Sequence, residues 1–155
     1  MSSTARVSVE PVSPRLPEAR ALIAELDAYL GALYPPERNY LLDVESLCQP
    51  DVTFFLARCD GTAAGCGAVR RMAAATAEIK RMYVRPQFRG QGIGRAVLQV
   101  LEEHARALGA SRLLLETGTS QPEALALYEQ QGYRQRPRYD EYRDEPTSVF
   151  MEKPL

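Results

Sequence analysis

The 155-residue chain has no tryptophan, one histidine and three cysteines, and each scarcity closes off a class of chemistry. With His104 as the single imidazole, neither a His-based nucleophilic triad nor a multi-histidine metal centre is expected. Cys48, Cys59 and Cys66 form no Cys-x-x-Cys pair, so they read as free thiols of a reducing cytoplasm. Long apolar runs are also missing. The densest, Phe54 to Ala57 and Leu113 to Leu115, fall far short of the ~20 residues of a membrane helix. The start, Met1 to Arg6, lacks the apolar core of a secretion signal. Charge of one sign is absent too: 19 Lys and Arg against 20 Asp and Glu leave a net charge of -1. That balance removes the electrostatic footprint of a nucleic-acid binder or an anionic-membrane binder.

What remains is ordinary globular composition, 45% hydrophobic and 25% charged, at a length that fits one domain over residues 1–155. Arg6 to Val9 reads as a first strand. Pro17 to Leu33 carries Leu22, Ile23, Leu26, Leu30 and Leu33 at helical spacing, and Tyr34-Pro35-Pro36 stops that helix. A short helical piece follows around Asp43 to Cys48. Val52 to Arg58 and Ala64 to Met72 form a hairpin about Asp60-Gly61, with Thr76 to Val84 as a third strand. Gln91 to Leu108 is an amphipathic helix ending at Gly109. Arg112 to Glu116 is a short apolar strand, and Ser120-Gln121-Pro122-Glu123 has capping-box spacing for a helix that ends before Gly132. Strands near Tyr133 to Arg138 and Ser148 to Lys153 close the chain. Sequential hairpin strands followed by strand-helix-strand predict an α/β fold: a mixed, mostly antiparallel sheet of six to seven strands with helices on both faces.

The densest chemistry lies in Val84-Arg85-Pro86-Gln87-Phe88-Arg89-Gly90-Gln91-Gly92-Ile93-Gly94-Arg95, which joins a strand to a helix. Three alternating glycines leave the backbone bare and allow positive φ, while the helix N-terminus supplies unpaired N–H groups. Arg89 and Arg95 flank the loop and add charge-assisted bonds. This pattern predicts a phosphate or pyrophosphate cradle. It is not a Walker loop, which needs a lysine after its last glycine. A dinucleotide fingerprint would need glycine at 95, where this chain has arginine, although Glu116 stands near the spacing of a ribose-binding acid.

These residues resemble the GNAT superfamily of acetyl-CoA-dependent N-acetyltransferases. Arg89, Gly92 and Gly94 match its Gln/Arg-x-x-Gly-x-Gly/Ala signature. Glu78 to Val84 resembles the family's fourth strand, Glu116-Thr117-Gly118 the end of its fifth, and Ala124 to Tyr133 its fourth helix and sixth strand. The resemblance spans Thr76 to Tyr133. It implies acetyl-CoA as donor, no metal, and a pyrophosphate held by Arg89, Gly90, Gln91, Gly92, Ile93, Gly94 and Arg95. It further implies that the pantetheine arm pairs with the backbone of Met82, Tyr83 and Val84, in a slot where a bulge splays the fourth strand from the fifth. Where many members carry an asparagine after the fifth strand, this chain has Ser120-Gln121-Pro122. Gln121 either replaces that amide contact to the cofactor or leaves it unmade.

The resemblance implies direct attack of an amine on the thioester, with no acyl-enzyme. Tyr128 is then the candidate general acid, a phenol suited to a thiolate leaving group, although its helix also fits a core aromatic there. Glu78 on the central strand is the candidate base, with Glu116 as the alternate. Simple alternation puts Glu78, Lys80, Met82 and Val84 on one face of the strand and Ile79, Arg81 and Tyr83 on the other. In such folds two segments are expected to set the acceptor, here Tyr34 to Tyr40 and Tyr139 to Pro146, both rich in tyrosine. Tyr34, Glu37 and Tyr40 are the expected acceptor wall, suited to a small-molecule amine, an amino acid or a peptide terminus. A homodimer is expected by base rate. Two other readings compete: a non-catalytic acetyl-CoA-sensing module, and a nucleotide binder that shares only the glycine pattern.

Overall fold

Asp60 and Gly61 both take positive φ, 50° and 83°, which suits a two-residue hairpin. They fold β2 (Val52–Cys59) back onto β3 (Thr62–Arg71). In this computed structural model, which describes residues 6–34, 43–140, 142 and 145–155, the hairpin supplies the second and third strands of a seven-stranded sheet. β1 (Val7–Pro11) pairs antiparallel with β2, and β4 (Thr76–Val84) pairs antiparallel with β3. The crossover through α3 (Ile93–Ala107) then brings β5 (Arg112–Gly118) parallel to β4. After α4 (Pro122–Gln130), β7 (Ser148–Pro154) adds antiparallel to β5, with β6 (Arg134–Arg136) outside it. The order is β1-β2-β3-β4-β5-β7-β6, with β4–β5 the single parallel pair.

Helices cover both faces, as their apolar stripes require. α1 (Pro17–Leu33) buries Leu22, Ile23, Leu26 and Leu30 against Phe54, Leu56 and Tyr83. α2 (Val44–Leu47), capped by the Asp43 carboxylate on the Ser46 N–H, extends that layer. On the opposite face α3 packs Val97, Leu98 and Leu101 against Phe55, Val69, Ile79 and Leu115. Each fully buried side chain of this kind contributes roughly 1.5–3 kcal/mol. His104 is part of this packing, its Nε2 3.0 Å from Thr53 Oγ1 and its ring edge-on to Phe55. No helix among the described residues is long and apolar enough to cross a membrane.

Two irregularities shape the site. Cys66 pairs with Tyr83 and Ala68 with Lys80, so Gly67 opposes two residues, Arg81 and Met82. Arg81 takes a φ of 56° at this bulge. The alternation of β4 therefore slips by one, and the expected grouping of its side chains is corrected. Met82 and Val84 join Ile79 on the α3 face, while Arg81 and Tyr83 turn to the α1 face. The second irregularity is the parallel pairing itself, which ends after Thr76, Ala77 and Glu78 meet Arg112, Leu113 and Leu114. Beyond that point β4 and β5 diverge, as a bulge that re-aims one strand demands.

Local boundaries also shift. The capping box does not form: Gln121 is the N-cap of α4 without a side-chain bond, and Pro122 opens the helix. The Ser120 N–H donates instead to the Tyr34 hydroxyl, at 3.1 Å.

Candidate active site

The gap between the diverging strands opens into a cleft of about 710 Å³, running from the glycine loop to the Tyr34 end of α1. At one end Gly90 and Gly92 adopt φ of 78° and 79°, and a Cβ on either would meet open space. Gly92 is also the N-cap of α3, which starts with no side-chain cap. The first N–H groups of that helix thus have no partner within it, and the helix dipole adds positive potential. Arg89 and Arg95 line the same end. Arg89 is steadied by a 3.2 Å bond from its Nε to the Val84 carbonyl, and lies over the Tyr29 ring. Gly94 acts differently. It sits inside the helix, where a Cβ would come within 3.1 Å of Leu127, so its role is close approach of α3 to α4. Ile93 is buried beneath the loop and also lines the cleft. Gln91 does not: among the described residues its amide pairs with Cys59 and the Gln87 carbonyl.

Midway, Met82, Tyr83 and Val84 border the gap where β4 has lost its ladder to β5. Tyr83 is held by Glu25, which its hydroxyl contacts at 3.3 Å. Tyr128 reaches the cleft from α4 on the α3 side. Its side chain is buried, and its hydroxyl has no hydrogen-bond partner among the described residues. Such an unpaired buried phenol costs free energy unless a ligand completes it. Burial, helped by the charge of Glu116, pushes its pKa above the usual tyrosine range and keeps it protonated.

Glu116 faces Tyr128 from the other side of the sheet. Burial raises its carboxyl to about 7, against the opposing pull of a hydrogen bond from Ser148 and the charge of Lys80. Lys80, which the sequence reasoning did not single out, lines the same part of the cleft, and burial lowers its pKa. Glu78 is elsewhere. It is 0% exposed and does not line the cleft. One carboxylate oxygen accepts from Arg70 at 2.8 Å, and the other accepts from the hydroxyls of Tyr139 (2.5 Å) and Tyr142 (2.7 Å). With its lone pairs so engaged, Glu78 holds the layer beneath Lys80 in place.

Tyr34 closes the far end. Its hydroxyl accepts from the Ser120 N–H and from Gln121 Nε2 (3.4 Å), tying α1 to the loop that starts α4. Gly118 makes room for it, since a Cβ there would lie 1.7 Å from the Tyr34 hydroxyl oxygen. Gln121 lines the cleft, its amide turned toward Tyr34. Glu37 and Tyr40 lie outside the described residues. The Tyr139 and Tyr142 rings, from the second segment expected to set the acceptor, pack edge to face on each other and on Phe150 as a floor beside Lys80.

The chain is similar over most of its length to proteins named as acyltransferases. It shares 47% identity over 150 residues with the IAA acetyltransferase of Azospirillum brasilense, covering 96% of this chain and 98% of that protein. The uncharacterized N-acetyltransferase YsnE of Bacillus subtilis is 37% identical over 123 residues, 78% of this chain and 82% of its own. The crystal structure of an acyl-CoA N-acyltransferase from Klebsiella pneumoniae superposes with a TM-score of 0.82 at 38% identity, covering 96% of this chain and 97% of that one. The family model described as the Acetyltransferase (GNAT) family matches residues 19–133. That span takes in α1, the bulged strand, the glycine loop and the Tyr128 helix, and the protein belongs to the GNAT family of acetyltransferases.

Proposed function

We propose that the protein is a single-domain N-acetyltransferase that moves the acetyl group of acetyl-CoA to a primary amine of a small molecule, amino acid or peptide terminus. One observation carries this reading. A carboxyl raised to about 7 and an unpaired protonated phenol face one gap from opposite sides of the sheet, downstream of an anion-binding loop. The positive-φ glycines, the open start of α3, and Arg89 and Arg95 suit a pyrophosphate. The unladdered edge of β4 at Met82 to Val84 suits a pantetheine arm added like a strand.

In this reading Glu116, rather than the enclosed Glu78, takes the proton from the acceptor ammonium. The freed amine nitrogen bonds to the thioester carbon, and the Met82 N–H polarises the carbonyl oxygen. As the C–S bond breaks, its electron pair leaves on sulfur, and Tyr128 donates its proton there. A carboxyl near 7 can accept a proton at neutral pH, and a phenol that is still protonated has one to give. The free thiols Cys48, Cys59 and Cys66 suit a cytoplasmic setting. Acetyl-CoA titration and thiol release with an amine panel test the reading. Gly92→Glu is expected to abolish acetyl-CoA binding. Gly92→Ala shares its backbone strain but adds no charge, and is expected to bind far better. Equal affinity of both folded variants and the wild type would overturn the cradle.

A further inference from the structure

Lys80 and Glu116 stand at matching positions on the two strands that part. Glu78 and Leu114 are the last paired couple, so two residues further each strand presents a side chain on the same face, across the mouth of the gap. Both line the cleft, and each acts on the other's charge. This is the face of the Tyr139 and Tyr142 floor, opposite the α3 face that carries Tyr128.

The layer below fixes the sign of each position. Glu78 lies 3.6 Å from Lys80 Nζ, the Tyr142 hydroxyl contacts the same ammonium, and the Tyr142 ring sits beneath it at 4.7 Å. Arg70 bridges Glu78 on one side and Asp140 on the other, at 2.8 and 2.9 Å. Arg70, Lys80, Glu78 and Asp140 thus cancel in charge. What faces the cleft is a dipole, with positive Lys80 on one lip and ionisable Glu116 on the other. A simple cation placed in this mouth can pair with Glu116 but leaves the Lys80 ammonium on the other lip without a ligand charge to meet it. A ligand with both charges a few ångströms apart gains from both lips.

We propose that the acceptor is a zwitterionic amine of amino-acid size, its ammonium directed to Glu116 and its carboxylate to Lys80. The carboxylate end anchors the molecule on β4, and the amine end then lies beside the base and over the gap. This rests on the acetyltransferase reading given above, and it makes Lys80 a specificity-determining residue of the acceptor site.

The test compares kcat/KM for thiol release from acetyl-CoA with free α-amino acids and with the amides and methyl esters of the same amino acids. Wild type is expected to favour the free acids by about tenfold or more, the size of one charge-assisted bond, chiefly through KM. In Lys80→Met that ratio is expected to collapse toward one, while Lys80→Arg retains a preference for the acids. A wild-type enzyme that uses amides as well as or better than acids would overturn the inference and leave the acetyltransferase reading standing. A Lys80→Met enzyme that keeps the full preference would do the same. Should acetyl-CoA bind while no amine of either series is acetylated, the inference falls, and the acetyltransferase reading falls only if the wider amine panel is inert as well. The wild-type ratio decides the matter even if Lys80→Met fails to fold.

Discussion

Replacing Glu116 by glutamine is expected to move activity and stability in opposite directions. Burial lifts this carboxyl from 4.5 to about 7, with the Glu78 charge adding to burial and with Ser148 and Lys80 opposing it. Between those two values the folded protein holds a proton that the unfolded chain has lost. Stability therefore falls as pH rises through that window and levels off above about pH 7, because the folded state binds the extra proton. A difference of about 2.5 pH units at 1.36 kcal/mol each amounts to roughly 3 kcal/mol at pH 8. Glutamine is near in shape and carries no charge, so Glu116→Gln removes that cost. Lys80 keeps Glu78 as its ion partner in the variant. For a chain of 155 residues the gain corresponds to a Tm higher by roughly 6–12 °C at pH 8, shrinking to nothing near pH 4. Activity goes the other way. With a pKa near 7, about a tenth of Glu116 is ionised at pH 6 and about nine-tenths at pH 8, so wild-type kcat/KM rises close to tenfold over that range. The variant is expected to lose that acidic limb and roughly 10²–10⁴-fold in rate. Thermal melts at pH 4 and pH 8 with a thiol-release pH profile measure both. A variant that melts lower than wild type at pH 8, or that retains the acidic limb, would refute the assignment of Glu116 as a buried base.

Tyr128→Phe is expected to lower the chemical rate roughly 10²–10⁴-fold while acetyl-CoA affinity stays nearly unchanged, read by single-turnover kinetics beside a binding titration. Full turnover in that variant would make Tyr128 a packing residue. Gly118→Ala is expected to displace the Tyr34 hydroxyl and free its two donors, costing about 1–3 kcal/mol in denaturant melts. Adding Tyr34→Ala to Gly118→Ala is expected to cost less than the sum of the two single changes, and strict additivity would show that the predicted clash does not govern the loop.

Much of this architecture is legible in local sequence because local physics decides it. The Asp60-Gly61 hairpin, the stripe of α1 and the glycine loop each depend on residues close together in the chain, and each forms where expected, except that Leu33 at the end of the stripe is exposed. The capping box fails for a reason the segment itself does not contain. The Ser120 N–H is claimed by Tyr34, 86 residues away in sequence. Likewise the alternation of β4 slips at Arg81 because the extra residue is defined only against Gly67 on the neighbouring strand. A carboxylate in an apolar strand looks reactive whether it faces a cleft or a wall of donors. Glu78 and Glu116 are distinguished by Arg70, Tyr139 and Tyr142, brought to Glu78 from distant segments. Lys80 escaped notice for the same reason: its place opposite Glu116 follows only from the register of the parallel pairing.

The same two irregularities account for how Glu116 and Tyr128 come to face one gap from opposite sides of the sheet. In an unbroken sheet Glu116 and Tyr128 would be separated by a closed backbone layer, and each would be an uncompensated buried polar group. The bulge at Arg81 and the end of pairing after Glu78 open that layer at one place. The carboxyl then addresses the gap from the Lys80 face and the phenol from the α3 face. In the proposed mechanism, a reacting carbon held in the gap would meet its nucleophile from one side and release its leaving group to the other. Charge created on one face would be neutralised by a proton given on the opposite face, so the two groups would need no contact with each other. The buried, unpartnered hydroxyl of Tyr128 and the raised carboxyl of Glu116 are both destabilising in the free protein. Their cost is what a site must carry if its hydrogen bonds are to be completed only by the reacting molecules.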